Sequence, residues 1–260
     1  MKMNVVFNKA IPEYKSALAA VENCLLGKRI DFCSYELGNM DFYGDFTIVI
    51  GGDGTLLRAA KFYSHKQIPV LGINLGRLGF LSQADVEEIK DVIEEIIMGN
   101  YYTESRLMLC SENNLALNDF VIKGSLPSRT SKFYLEINDR EVCDYIADGL
   151  IISTPTGSTA YGLSAGGPVL HPLLDGIVIV PICPHTLNSR PLVIPSGEKI
   201  TVKSGDFGMV VAVDGVIIDR PVEKIKIMKC EHKALLTFLN NNRFYNVLRN
   251  KLDWGVSRAK

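Results

Sequence analysis

The sequence predicts two domains of different class. An α/β domain with a parallel sheet spans residues 1–100 and takes in the tail 240–260, and a β-rich domain spans 101–239. Two observations lead there. Up to about residue 100, short apolar runs alternate with stretches of helical periodicity, as when strands are joined by crossover helices. Beyond that point the apolar segments are short and β-branched and are separated by closely spaced turn residues. With 260 residues, 47% of them hydrophobic and 22% charged, the chain has material for two cores.

The elements follow in order. Val5-Val6-Phe7 reads as a strand. Pro12 opens a helix whose apolar Tyr14, Leu18, Val21 and Leu25 share a face, and Gly27 ends it. Strands are expected over 30–35, 46–50 and 68–73, with a helix from Leu56 between the last two. Val86, Ile89, Val92, Ile93, Ile96 and Ile97 mark one face of a further helix over 86–98. Asp85 and Glu88 resemble its capping box. This alternation predicts a Rossmann-like parallel sheet covered on both faces.

In the β-rich half, strands are expected at 133–137, 150–152, 177–180, 200–202 and 209–213. Turn signals lie at Asn138-Asp139, Ser196-Gly197, Ser204-Gly205-Asp206 and Asp214-Gly215. The tail from Asn242 to Leu252 is helical again and is expected to pack back on the first domain, with Trp254 as an anchor.

Net charge is −1, from 28 basic and 29 acidic residues, so nothing points to a nucleic-acid or membrane partner. There is no signal-peptide pattern and no apolar run of membrane-spanning length, and a cytoplasmic protein is expected. The six cysteines form no Cys-x-x-Cys pair and read as reduced, buried thiols. Cys183 and His185, flanked by prolines, read as a turn rather than a metal site.

The most informative stretch is Gly51-Gly52-Asp53-Gly54-Thr55, placed between the apolar run 46–50 and a helix. Glycines admit close backbone approach, and a helix N-terminus favours anions. An aspartate in such a turn is costly beside phosphates unless it binds a cation or takes a proton, which points to chemistry on a phosphate. The stretch is neither a Walker A loop, lacking the lysine, nor a dinucleotide fingerprint, since Leu57 stands where the third glycine belongs. A plain turn with a capping aspartate is the alternative.

Three further stretches stand out. Five hydroxyls fall within 153–159 around Gly157, ahead of Tyr161. Capping explains one or two of them; the cluster suits a ribose or an adenine edge. Asn118-Asp119 interrupts the apolar run 115–122, and the pair suits a base edge and a sugar diol, a hairpin turn being the alternative. Gly72, Gly76 and Gly79 space a strand exit that reads either as a mobile loop with Phe80 as a lid or as a loop with satisfied turns.

Together, in this order, the four stretches resemble the NAD kinase family, and the resemblance extends through Pro181–His185 to 190–195. It implies transfer of a phosphoryl group from ATP or polyphosphate to the 2′-hydroxyl of the adenosine ribose of NAD, giving NADP. Asp53 would be the general base, with Gly51, Gly52, Gly54 and Thr55 cradling phosphates. Asn118 would contact the adenine, Asp119 a ribose and Asp148 the nicotinamide end. Thr159, Ala160, Tyr161 and Ser164 would line the adenosine pocket, with Phe80 over the base. Arg58 and Arg129 are cations placed for such a ligand, with solvated surface arginines as the plain alternative. Ile146 and Val216 depart from some relatives, which carry a basic and a polar residue there. A divalent cation, Mg²⁺, and a homodimer or homotetramer are implied, with no all-protein metal site. A lipid kinase sharing the glycine turn and a non-catalytic NAD(P) sensor are the rivals.

Overall fold

The computed structural model describes residues 1–75, 79–82, 86–126, 129–186, 188–205, 208–218, 221–239 and 243–252. The expected roles of Gly76, Asp85, Asn242 and Trp254 lie outside them. The chain divides into two units, Met1–Ser105 with Ala234–Lys260, and Arg106–Lys233.

The first unit runs β1 (Lys2–Phe7), α1 (Tyr14–Gly27), β2 (Asp31–Glu36), β3 (Phe46–Ile50), α2 (Asp53–Ser64), β4 (Val70–Ile73), α3 (Ile89–Met98) and β5 (Tyr102–Arg106). The last strand and helix of the chain, β18 (Ala234–Phe238) and α5 (Arg243–Leu252), complete it. Its sheet has the order β2-β1-β3-β4-β18-β5, and β1 through β4 pair in parallel. β18 joins β4 in parallel through Leu236 and Val70.

Side-chain alternation sorts the faces of this sheet. Met3, Val5, Ile48, Ile50, Leu71 and Ile73 share a core with Ala17, Val21 and Leu25 of α1 and Ile89, Val92, Ile93 and Ile96 of α3. α2 lies against β3, β4 and β18. Every residue of β3 is buried, which accounts for its mostly apolar sequence, broken only by the buried Thr47. Helix α1 begins at Tyr14, two residues past Pro12, and the expected helix over 86–98 starts as a 3-10 turn before α3.

Both boundaries of the first unit differ from those expected. Strands β5 and β18 look local and β-like in sequence, yet their ladder partners are strands of the first sheet.

The second unit holds β6 (Leu109–Ser111), β7 (Asn114–Ala116), β8 (Asp119–Gly124), β9 (Ser131–Ile137), β10 (Arg140–Ala147) and β11 (Gly149–Ser153). It continues with α4 (Tyr161–Ser164), β12 (Gly176–Ile182), β13 (Leu192–Pro195), β14 (Ile200–Ser204), β15 (Met209–Val213), β16 (Val216–Ile217) and β17 (Lys224–Lys229). Two sheets result, β10-β9-β14-β17-β6-β7 and β13-β12-β11-β8-β15-β16. Leu109, Phe133, Leu135, Ile200 and Ile227 of the first interleave with Phe120, Ile122, Leu150, Ile152, Ile177 and Val211 of the second, as in a β-sandwich. Val121, Ile151, Val178 and Val180 face the other way and are covered by Ala165 and Leu170.

The cysteines are free, as expected, but only Cys230 is buried. Cys33 and Cys143 lie on edge strands, which leaves them half-buried, and Cys183 is exposed at a positive φ of 45°. Among the described residues no helix is long and apolar enough to cross a membrane.

Phe133 is fully buried in the sandwich core. Phe133→Ala is expected to lower stability by about 3–5 kcal/mol, read as a fall in the urea midpoint.

Candidate functional site

The glycine turn leaves the C-terminal end of β3. In the order β2-β1-β3-β4 the sheet winds in opposite directions from β1 and β3. Ligands of open α/β sheets bind at such a switch point, outside the carboxyl ends of the strands. The Gly51 N–H donates to Ile73 O at 2.9 Å, tying the turn to β4. Gly52 caps α2 in an extended conformation, and Asp53 is the first helical residue. Asn8, just past β1, donates through Nδ2 to the buried Thr55 Oγ1 at 3.2 Å. The hydroxyl expected to cradle phosphate thus also joins the two strand ends. Gly54 and Arg58 are exposed one turn apart on α2.

The Asp53 carboxylate is enclosed by residues 79–82. Oδ2 accepts the Phe80 N–H at 2.7 Å. Oδ1 accepts the Leu81 N–H at 3.2 Å, the Ser82 N–H at 3.0 Å and the Ser82 hydroxyl at 3.1 Å. Ser82 Oγ in turn accepts the Gly79 N–H at 3.2 Å. A Cβ on Gly79 would stand 1.8 Å from Oδ1, so only glycine admits the carboxylate here. Of the two expectations for this segment, the loop with satisfied donors describes residues 79–82. Phe80 is half-buried, with Lys251 Nζ of α5 at 5.3 Å from its ring centroid.

In the second unit, Leu117 and Asn118 lie where the chain passes from β7 in one sheet to β8 in the other. The segment is held on both sides. Asn118 O accepts the Thr154 N–H at 2.8 Å, and Leu117 O the Thr154 hydroxyl at 2.6 Å. On the other side, Asp214 accepts the N–H groups of Leu117, Asn118 and Asp119 at 3.1, 2.8 and 3.1 Å. A Cβ on Gly157 would lie 2.2 Å from Asn118 O, so the hydroxyl-rich stretch and Asn118 meet at that glycine.

The hydroxyls themselves correct an expectation. Ser153, Thr154, Thr156 and Ser158 are buried and bonded within the protein, Ser158 to Pro155 O and Leu170 N, and Thr156 to Arg106. They build the turn rather than offer themselves to a ligand: Thr154 and Ser158 bond main-chain groups of residues 117, 155 and 170, and Thr156 meets the Arg106 side chain. The residues beyond them are the accessible ones. Thr159 and Ala160 are half-buried, Ser164 is exposed, and Tyr161 is exposed with Lys123 Nζ at 5.7 Å from its ring centroid. Asp148, between β10 and β11, and Arg129 are exposed, and no hydrogen bond joins either to Asn118 or Asp119 among the described residues.

Asp119 is 4% exposed, and no hydrogen bond reaches its carboxylate among the described residues. Burial, and secondarily the Asp214 charge, push its pKa up to about 7. An enclosed carboxylate with its pKa pushed up in this way is a candidate for a functional role.

Sequence reasoning missed Asn8, Ser82 and Asp214. Asp214-Gly215 was visible only as a hairpin turn, and nothing local marked its side chain as an acceptor for residues nearly a hundred positions away.

Comparison with known proteins follows this geometry. Models of the N-terminal and C-terminal domains of ATP-NAD kinase match residues 18–101 and 117–238. NAD kinase of Geobacter sulfurreducens is 39% identical over 226 residues, 81% of this chain and 79% of that protein. NAD kinase of Hahella chejuensis is 42% identical over 228 residues, 82% of this chain and 77% of that protein. A solved NAD kinase from Archaeoglobus fulgidus, in complex with ATP, superposes with a TM-score of 0.80 at 28% identity, covering 98% of this chain and 100% of that one. Yeast NADH kinase complexed with NADH shares the fold, with a TM-score of 0.87 at 24% identity over 99% of this chain and 89% of that one.

A parallel α/β unit bearing an aspartate in a glycine turn, together with a β-sandwich unit, is the build of a phosphotransferase. The chain belongs to the NAD kinase family and is an enzyme that phosphorylates NAD. The lipid-kinase and sensor alternatives give way.

Because the folded pKa of Asp119 lies near 7 against an ordinary 3.8, the folded chain holds a proton there that the unfolded chain has lost. Stability therefore falls as pH rises from about 4 through about 7. Asp119→Asn is expected to raise the melting temperature at about pH 8, and by less at about pH 5, measured by thermal scans.

Proposed function

We propose that the chain transfers the terminal phosphoryl group of ATP to the 2′-hydroxyl of the adenosine ribose of NAD, with Asp53 accepting the hydroxyl proton. The observation that carries this reading is the Asp53 carboxylate, set at the N-terminus of α2 and oriented through both oxygens by residues 80–82. The hydroxyl oxygen bonds to the transferred phosphorus, the bond to the bridging oxygen breaks, and ADP leaves. The transition state of phosphoryl transfer is loose, so positioning supplies most of the catalysis and the base takes its proton late. Oδ1 already carries three donors and Oδ2 one, so Oδ2 is the oxygen with room for the incoming hydroxyl.

Gly51, Gly52, Gly54 and Thr55 would hold phosphates at the opening of α2, with Arg58 as a nearby cation. Asn118 would take the adenine edge and Asp119 a ribose diol. Thr159, Ala160, Tyr161 and Ser164 would line the adenosine pocket. Arg129 and Asp148 would meet the dinucleotide from exposed positions. In this reading the β-rich unit is the NAD-binding domain.

ATP is favoured over polyphosphate by the ATP complex of the archaeal relative. No cluster of three His, Cys, Asp or Glu suited to a metal occurs among the described residues, and both oxygens of Asp53 are engaged. A Mg²⁺ would therefore rest on the donor phosphates and water, neutralising charge there. A cytoplasmic homodimer or homotetramer completes the reading.

Asp53→Asn is expected to cut NADP formation from NAD and ATP by about 10²–10⁴-fold while NAD binding persists, measured by NADP assay and calorimetry. Retained activity would remove Asp53 as the base. Gly79→Ala, which drives its Cβ into the carboxylate and breaks its bonds to residues 80–82, is expected to lose about a hundredfold in turnover and to lower the melting temperature.

A further inference from the structure

Asp214-Gly215 has the form of an ordinary hairpin turn. Val213 pairs with Val216, and the two residues between them have φ of 47° and 82°, as a two-residue turn of the primed type requires. That explains the backbone and leaves the side chain unexplained. Asparagine would serve the turn equally well, since it also tolerates positive φ. What a carboxylate adds is two oxygens that only accept. Both are used here, Oδ2 by the Leu117 N–H and Oδ1 by the N–H groups of Asn118 and Asp119. The Asp214 N–H donates back to Asp119 O at 3.0 Å.

The three donors belong to the step where the chain changes sheets. Main-chain groups there need a partner from elsewhere. An amide in place of the carboxylate would turn an N–H₂ group toward one of these donors. The carboxylate has a cost, however. It places a negative charge beside the buried Asp119, where it reinforces the effect of burial. Of the strands flanking Asp119, β11 sets Ser153 opposite it and β15 ends in Asp214; Asp214 is the charged group that acts on it.

We propose that Asp214 is a positioning residue for the dinucleotide: its carboxylate fixes the main chain of residues 117–119 so that the Asn118 amide and the Asp119 carboxylate are presented together to the adenosine half of NAD. The proposal rests on the reading of Asn118 and Asp119 as NAD contacts. It adds a pH dependence. A ribose diol donates best to an ionised Asp119, so NAD is bound more tightly as pH rises through about 7. Asp214 moves that limb upward.

The test is steady-state kinetics of the full chain with NAD and ATP from about pH 5.5 to about pH 8.5. In Asp214→Asn, KM for NAD is expected to rise about tenfold, with kcat within about twofold and KM for ATP unchanged. The rise of kcat/KM for NAD with pH is expected to move to lower pH, because the neighbouring charge is gone. An unchanged KM for NAD, or a parallel loss of kcat and of both affinities, overturns the proposal. Absence of the limb in the parent enzyme overturns the coupling to Asp119, and this measurement does not require the variant to fold. Asn118→Ala and Asp119→Asn separate the two levels. If neither raises KM for NAD, the underlying reading fails. If both raise it and Asp214→Asn does not, the reading stands and the role of Asp214 falls.

Discussion

A carboxylate that accepts several successive main-chain N–H groups organises each unit of this protein. In the first, Asp53 takes the amides of Phe80, Leu81 and Ser82. In the second, Asp214 takes those of Leu117, Asn118 and Asp119. Both runs of amides lie where no strand continues to receive them, and an unmet buried amide costs about 1–3 kcal/mol. A charged acceptor satisfies them with stronger bonds than a neutral one and orients both partners. The same interaction shapes a loop and aims a functional group, so neither can be altered alone.

The two carboxylates differ in what they organise. Asp53 is itself the group placed for chemistry, and its loop leaves no space for a side chain at Gly79. Asp214 holds up its neighbours, among them the half-buried Asn118, and the exposed side chains near it are Tyr161 and Ser164. Asp119 carries the tension between fold and function: it is buried, unbonded among the described residues and pushed toward neutrality.

What could be read from the sequence was the local part. The apolar run of β3, the glycine turn and the face of α1 each depend on neighbours in the chain, and the structure shows each of them. Asn118-Asp119 was conspicuous because polar residues broke an apolar run, although the reason, a passage between sheets, was not visible. The hydroxyls at 153–158 looked like ligand groups because composition does not reveal which atoms the backbone already claims. Asn8, Ser82 and Asp214 act across 29 to 97 positions, from Ser82–Asp53 at 29 to Asn8–Thr55 at 47 and Asp214–Leu117 at 97. Strand β18 was assigned to the wrong unit for the same reason, since a strand's sequence does not name its partner.

That last strand bears on how the molecule comes to exist. β18 stands between β4 and β5, yet it is made only after the whole of residues 106–233. As the chain emerges from the ribosome, β5 has no completed neighbour to pair with while the sandwich is being synthesised. Distant pairings of this sort are slow to form, because a long loop must close before any contact repays it. The order of synthesis thus leaves the α/β unit unfinished until the β-sandwich has been made, and the enzyme's glycine turn belongs to the unit that is completed last.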